Sequence, residues 1–175
     1  PKYTKKDVTA VTKVVKSNQI FSAKEVKKFE NQFSKFNKSK FVKAVGNATQ
    51  GLHLALSALE IGYGDEVIVT NYSWISTASC ILMQNAKPIF VDIELDTLGA
   101  EPQEIEKAIT KKTKAIIVVH MFGNPCKIDQ IKKIADKNNI YLIEDASHAH
   151  GAEFNKKKIG NFSDIAVFYL INFTR

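Results

Sequence analysis

Apolar positions recur along this chain in two rhythms, and the switches between them mark its elements. In residues 4–17, Val8, Val11, Val14 and Val15 fall three and four apart, the spacing of one helical face, with Thr4 placed to cap it. Residues 22–36 repeat the pattern through Val26, Phe29, Phe33 and Phe36. Both stripes predict helices packed against a larger body. Residues 41–45 then read as a short strand. Runs that are apolar at nearly every position follow at 66–70, 87–93, 115–119, 140–145 and 164–169. A run apolar on both alternating faces is covered on both sides, as the strands of a parallel sheet are.

Helical patterns separate these runs at 52–59, from just past Trp74 through Met83, at 101–109 and at 128–136. Residues 151–159 read as an extended or hairpin segment. The alternation predicts an α/β protein, a mostly parallel sheet with helices on both faces and hence three layers. Neither an internal repeat nor a low-complexity linker interrupts it.

The run at 140–145 leads into Glu-Asp-Ala-Ser-His-Ala-His-Gly at 144–151. A carboxylate therefore lands at a strand's carboxyl end, the edge where open α/β sheets bind ligands. Asp145, followed three residues later by His148, could hold a protonated ring nitrogen on one side and touch the ring's substituents on the other. A capped strand end with two surface histidines is the plainer alternative. A second candidate is the turn Gly-Asn-Ala-Thr-Gln-Gly at 46–51, between a strand and an apolar helix. Free backbone N–H groups and the positive end of a helix dipole suit an anion there. The turn lacks the spacing of a Walker loop or a Gly-x-Gly-x-x-Gly turn, and a plain helix cap fits it equally. Trp74, the single tryptophan, follows a strand's carboxyl end, where its ring can stack on a flat ligand or fill a core.

Composition narrows the partners. The chain has 175 residues and 45% hydrophobic content, which suffices for a real core. Its charge of +7 invites nucleic acid, but Arg, the residue of forked phosphate and base recognition, occurs once among the 25 basic residues, at position 175. Nucleic-acid binding is not expected, and the cluster Lys156 to Lys158 reads as a solvated face. Cys80 and Cys126 form no Cys-x-x-Cys pair, so neither a disulfide framework nor a metal site is suggested, and a reduced, cytoplasmic setting is expected. No signal peptide or membrane span is read, since no run reaches the roughly 18 apolar residues of a span. The first residue is Pro1 rather than Met, so a preceding segment is expected.

Six motifs in order are more specific than any one of them. They are GNATQGLHLAL (46–56), GYGDEVIV (62–69), YSWISTA (72–78), KPIFVDI (87–93), VVHMFGNP (118–125) and EDASHAHGA (144–152). Together they resemble the DegT/DnrJ/EryC1/StrS family of pyridoxal-phosphate (PLP)-dependent aminotransferases, which mostly aminate keto groups of nucleotide-linked sugars and, in some members, keto-inositols. The resemblance implies the large domain of the type I PLP-transferase fold, in surface-polysaccharide or amino-sugar biosynthesis. It places Ala48 and Thr49 at the cofactor phosphate, Trp74 stacked on the pyridine, and Asp145 on the pyridinium nitrogen. A buried carboxylate there keeps the ring protonated and able to accept electrons. His148 falls at a position near the ring's oxygen substituent that the family fills with Gln or His. His53, His120 and His150 receive no role beyond structural placement. A keto-sugar nucleotide, a Glu or Gln amino donor and a homodimeric partner are the implied companions.

One motif fails. The family's lysine, which bonds covalently to the cofactor and then moves its proton, lies in Phe-Ser-x-x-x-x-Lys. Counting from Phe168, Tyr169 stands at the serine and Thr174 at the lysine, and no lysine of the chain lies in the matching motif. No catalytic residue is therefore assigned. Residues 1–175 are expected to be one incomplete large domain, without the Gly-rich return strand and the small carboxyl-terminal domain. A frameshifted, truncated or excerpted chain, inactive alone, is the expectation. A non-catalytic remnant that keeps cofactor or nucleotide affinity, or pairs with an intact homologue, is the alternative.

Overall fold

The computed structural model describes residues 3–18 and 24–170. These fall into two compact units, one of the described residues up to Ala44 together with Leu170, the other Val45–Tyr169.

In the first unit, helix α1 (Lys5–Lys16) starts where the sequence places its cap. Thr4 Oγ1 accepts the Asp7 N–H and the Asp7 carboxylate accepts the Thr4 N–H at 2.7 Å, a reciprocal capping box. Helix α2 (Lys24–Asn37) aligns Phe29, Phe33 and Phe36, with successive ring centroids 5.9 and 6.1 Å apart. Its expected first residues, 22 and 23, lie outside the described residues. The expected burial of both stripes is not observed. No α1 residue is buried, and Val8, Val11, Val15, Val26 and Phe36 are exposed. An apolar stripe says that a helix has a face to cover, not what covers it.

The strand expected at 41–45 is also absent: these residues form no ladder with any described residue. Extended backbone becomes a strand when a neighbouring strand takes up its N–H and C=O groups. Here Ala44 instead donates its N–H to Glu30 Oε1 at 3.0 Å.

The second unit contains strands β1 (Glu66–Thr70), β2 (Lys87–Val91), β3 (Thr113–Val119) and β4 (Tyr141–Asp145). A short antiparallel hairpin, β5 (Glu153–Phe154) and β6 (Lys157–Lys158), precedes β7 (Ile165–Val167). The sheet runs β2-β1-β3-β4-β7 with every neighbouring pair parallel. Helices α3 (Ala48–Ala58), α4 (Ser76–Met83), α5 (Pro102–Ala108) and α6 (Ile128–Asn138) complete the unit.

Alternation along the strands sorts the core into two layers. Val67, Val69, Ala115, Ile117, Ile143 and Val167 pack with Leu52, Leu56, Cys80 and Ile81 of α3 and α4. Ile68, Ile116, Val118 and Leu142 pack on the other face with Ile105, Ile128 and Ile131 of α5 and α6. The three-layer, mostly parallel α/β architecture is thus as expected. Burying each of the Val, Leu and Ile side chains stabilises by roughly 1.5–3 kcal/mol as an upper estimate. No helix among the described residues is long and apolar enough to cross a membrane.

Candidate functional site

Strand parity decides where the two carboxylates of β4 point. Asp145 shares the α3/α4 face with Ile143, whereas Glu144 shares the α5/α6 face with Leu142. Both are buried, Asp145 with 5% of its surface exposed and Glu144 with none.

Asp145 is held through both oxygens. Thr77 Oγ1, in the first turn of α4, donates to Oδ2 at 3.0 Å, and Ser73 Oγ lies 2.8 Å from Thr77 Oγ1. Because Thr77 spends its proton on the carboxylate, Ser73 is the donor in that second bond. Ser147 donates to Oδ1 through its hydroxyl at 2.6 Å and its N–H at 3.2 Å. These donors fix the orientation of the Asp145 carboxylate. Its charge acts on Cys80 in turn: burial first, and the nearby Asp145 carboxylate second, push that thiol up to about 12.

The turn at 46–51 reaches the same edge of the sheet. Asn47 caps α3 by accepting the Gln50 N–H at 2.9 Å, which is why the helix starts at Ala48 instead of the expected position 52. The N–H groups of Ala48 and Thr49 precede the first intrahelical bond, from the Gly51 N–H to the Asn47 carbonyl. Gly51 lies hard against β7, since a Cβ there would come within 2.8 Å of Val167 Cγ1. Val167 is in turn the register partner of Asp145. The helix start and the carboxylate are therefore separated by one strand at the sheet's carboxyl edge.

Trp74 precedes α4 and accepts the Thr77 N–H on its carbonyl at 3.0 Å. The residue is 76% exposed, so it does not fill the core. His148 is exposed and stacks on Phe122, with centroids 6.2 Å apart and planes 10° apart. Phe122 adopts φ +55°, an uncommon conformation for a bulky residue, and is 72% exposed. The following Gly123, at φ +84°, passes so close to the His148 carbonyl that a Cβ would meet its oxygen at 2.8 Å. Partial desolvation, with the neighbouring His148 second, holds the His150 imidazole below the usual histidine value.

The structure thus brings Ala48, Thr49, Trp74, Asp145 and His148 to one edge of one sheet. Sequence reasoning missed Thr77, Ser147 and Ser73. The signals were present: Ser147 stands two residues past an aspartate, the spacing of an Asx turn, and Ser73 and Thr77 are one helical turn apart. Tyr169 is described and exposed, while Thr174 lies outside the described residues.

The sequence pattern of the DegT/DnrJ/EryC1/StrS aminotransferase family matches residues 1–171. The chain belongs to this family. It is 46% identical over 162 residues to an uncharacterised protein of Methanocaldococcus jannaschii, covering 93% of this chain and 42% of that one. To the GDP-perosamine synthase of Escherichia coli O157:H7 it is 40% identical over 169 residues, covering 96% of this chain and 46% of that enzyme. The crystal structure of an aminotransferase from Psychrobacter cryohalolentis superposes with a TM-score of 0.92 at 39% identity, covering 96% of this chain and 43% of that one. The chain therefore spans less than half the length of these relatives.

Aminotransferases of the DegT family bind PLP. The donor set suits that cofactor. A carboxylate held by hydroxyl donors suits a protonated ring nitrogen, and the N–H groups that precede the first intrahelical bond of α3 suit a phosphate. When bound, the cofactor supplies an electron sink. These residues would hold it by orientation and charge: Asp145 would face the ring nitrogen, kept in place by Thr77 and Ser147, and the start of α3 would face the phosphate end.

Proposed function

We propose that this chain carries the cofactor-binding part of a PLP-dependent aminotransferase that acts on a keto group of a nucleotide-linked sugar. Both compact units are read as parts of the family's large domain. Asp145 carries the proposal: a carboxylate at a strand's carboxyl end, with hydroxyl donors on both oxygens, one strand away from a helix start. In this reading Ala48 and Thr49 bind the phosphate, Trp74 covers the ring, and His148 meets its oxygen substituent. The keto-sugar class is supported by the 40% identity to a GDP-perosamine synthase. Glu or Gln is the proposed amino donor, and a second copy of the large domain the proposed partner.

Turnover is a separate matter. Thr174 has no amine to bond an aldehyde, and Tyr169 replaces a small hydroxyl donor with a bulky phenol. The chain as it stands is therefore proposed to hold the cofactor without a covalent link and not to transaminate alone. Incubation with PLP, borohydride reduction and peptide mass analysis test this. Reversible binding without a reduced adduct is expected, whereas a pyridoxyl group fixed on one particular lysine would overturn the lysine assignment.

A further inference from the structure

Glu144, not Asp145, is the more heavily bonded carboxylate of β4. Its Oε1 accepts the Phe162 N–H at 3.1 Å, the Ser163 N–H at 3.0 Å and the Ser163 hydroxyl at 2.7 Å. Its Oε2 accepts the Gly160 N–H at 2.8 Å and His120 Nε2 at 3.0 Å. Gly160 delivers its N–H from φ +88°, a conformation open to glycine and strained for other residues. His120 is fully buried, and its Nδ1 accepts the Cys126 N–H at 3.2 Å. A ring nitrogen that accepts carries no proton, so Nε2 is the protonated one and points at Glu144.

Packing alone does not explain such a group. A buried charge with its partners is often replaceable by apolar residues at no loss of stability. Glu144, however, shares a peptide with Asp145 and faces the opposite side of the sheet, so a shift of the backbone that carries one carboxylate carries the other. It also fixes two neighbours of Asp145. The His120 main-chain N–H donates to the Asp145 carbonyl at 3.2 Å, and residues 160–163 lead directly into β7, whose Val167 carbonyl accepts the Ala146 N–H at 2.8 Å.

We propose that Glu144 and His120 are positioning residues for Asp145, setting β3, β4 and β7 so that the carboxylate on the far face meets the ring nitrogen of the cofactor in one orientation. This inference rests on the PLP reading above.

A ligand pair separates the positioning role from a general structural one. Trp74 fluorescence reports binding of PLP and of its analogue with carbon in place of the ring nitrogen, for wild type, Asp145→Ala, Glu144→Gln and Ser163→Ala. Glu144→Gln turns an amide N–H toward donors whichever way it faces. It is expected to weaken PLP binding about tenfold while changing analogue binding less than about twofold. Ser163→Ala removes one donor of five and decides the matter if the first variant does not fold, with an expected loss of about threefold for PLP alone. Equal losses for the two ligands, or no loss for PLP, would overturn the positioning role while leaving the PLP reading intact. Wild type that binds neither ligand, or an Asp145→Ala variant that binds both as wild type does, would overturn both.

Discussion

The Thr77 hydroxyl donates to Asp145 Oδ2 at 3.0 Å, joining the first turn of α4 to the end of β4 across 68 positions of chain. Thr77→Val keeps the shape and removes the donor. Because a hydrogen bond to a carboxylate contributes about 1.5–3 kcal/mol, PLP binding should weaken about tenfold or more. Titration of Trp74 fluorescence measures this. Unchanged affinity would mean that Ser147 alone suffices to hold the carboxylate.

Gly51 sits in the first turn of α3, where a Cβ would lie 2.8 Å from Val167 Cγ1 and 3.4 Å from Val45 Cγ2. Gly51→Ala gains up to about 1 kcal/mol of helix propensity but overpacks the α3–β7 contact by about 1–3 kcal/mol. A net loss of about 1–2 kcal/mol in urea unfolding is expected. A stabilised variant would show that α3 can lift from the sheet freely.

Asn47 caps α3 at the proposed phosphate site. Asn47→Ala should cost about 1 kcal/mol of stability. It should also reduce affinity for inorganic phosphate and for PLP alike, since it loosens the helix start rather than the ring end. Calorimetric titration with each ligand separates this pattern from the Thr77 effect.

Burial alone would raise the Glu144 carboxyl, but the hydrogen bond from His120, with donors from Gly160 and Ser163, holds it below its usual value of 4.5. Folding therefore favours the ionised form. The resulting stability is complete above the unfolded value and disappears as pH falls below it through the folded one. Urea midpoints of wild type and Glu144→Gln should differ at pH 7 and draw together as pH falls below the usual value of 4.5 through the folded one. Parallel curves over that range would exclude the assignment.

Cys80 and Cys126 are free and buried, Cys80 pushed up to about 12 and Cys126 raised by burial first and the Glu144 charge second. Since the thiolate is the reactive form, both should resist alkylation near pH 8 in the folded chain and react on unfolding. Mass spectrometry after a timed exposure to iodoacetamide checks this. Rapid native labelling of Cys80 would mean that α4 opens beside Asp145.

Much of this was legible in the chain because local pattern and fold agree. Runs such as Ala115 to Val119, apolar on both faces, could only be strands with a layer on each side, and the sheet bears this out. Asp145 was legible because strand ends carry their chemistry in the last residue. What sequence hid were relations across the chain. Thr77 looks like one more small residue in an apolar helix until β4 is placed beside it. His120 and Glu144 are 24 positions apart and carry no shared motif, yet form a buried pair. The valine stripe of α1 was legible as a stripe and misleading as a core. The run at 41–45 had strand composition without a strand among the described residues to pair with, and pairing is what composition cannot encode.

The most direct test of the account is the affinity of this chain for PLP, read from quenching of Trp74, against that of Asp145→Ala. The account predicts saturable quenching by wild type and at least about a tenfold weaker affinity in the variant, with the urea midpoint little changed. Equal affinities in two folded proteins would contradict it, because the carboxylate at the end of β4 would then have no part in holding the ring.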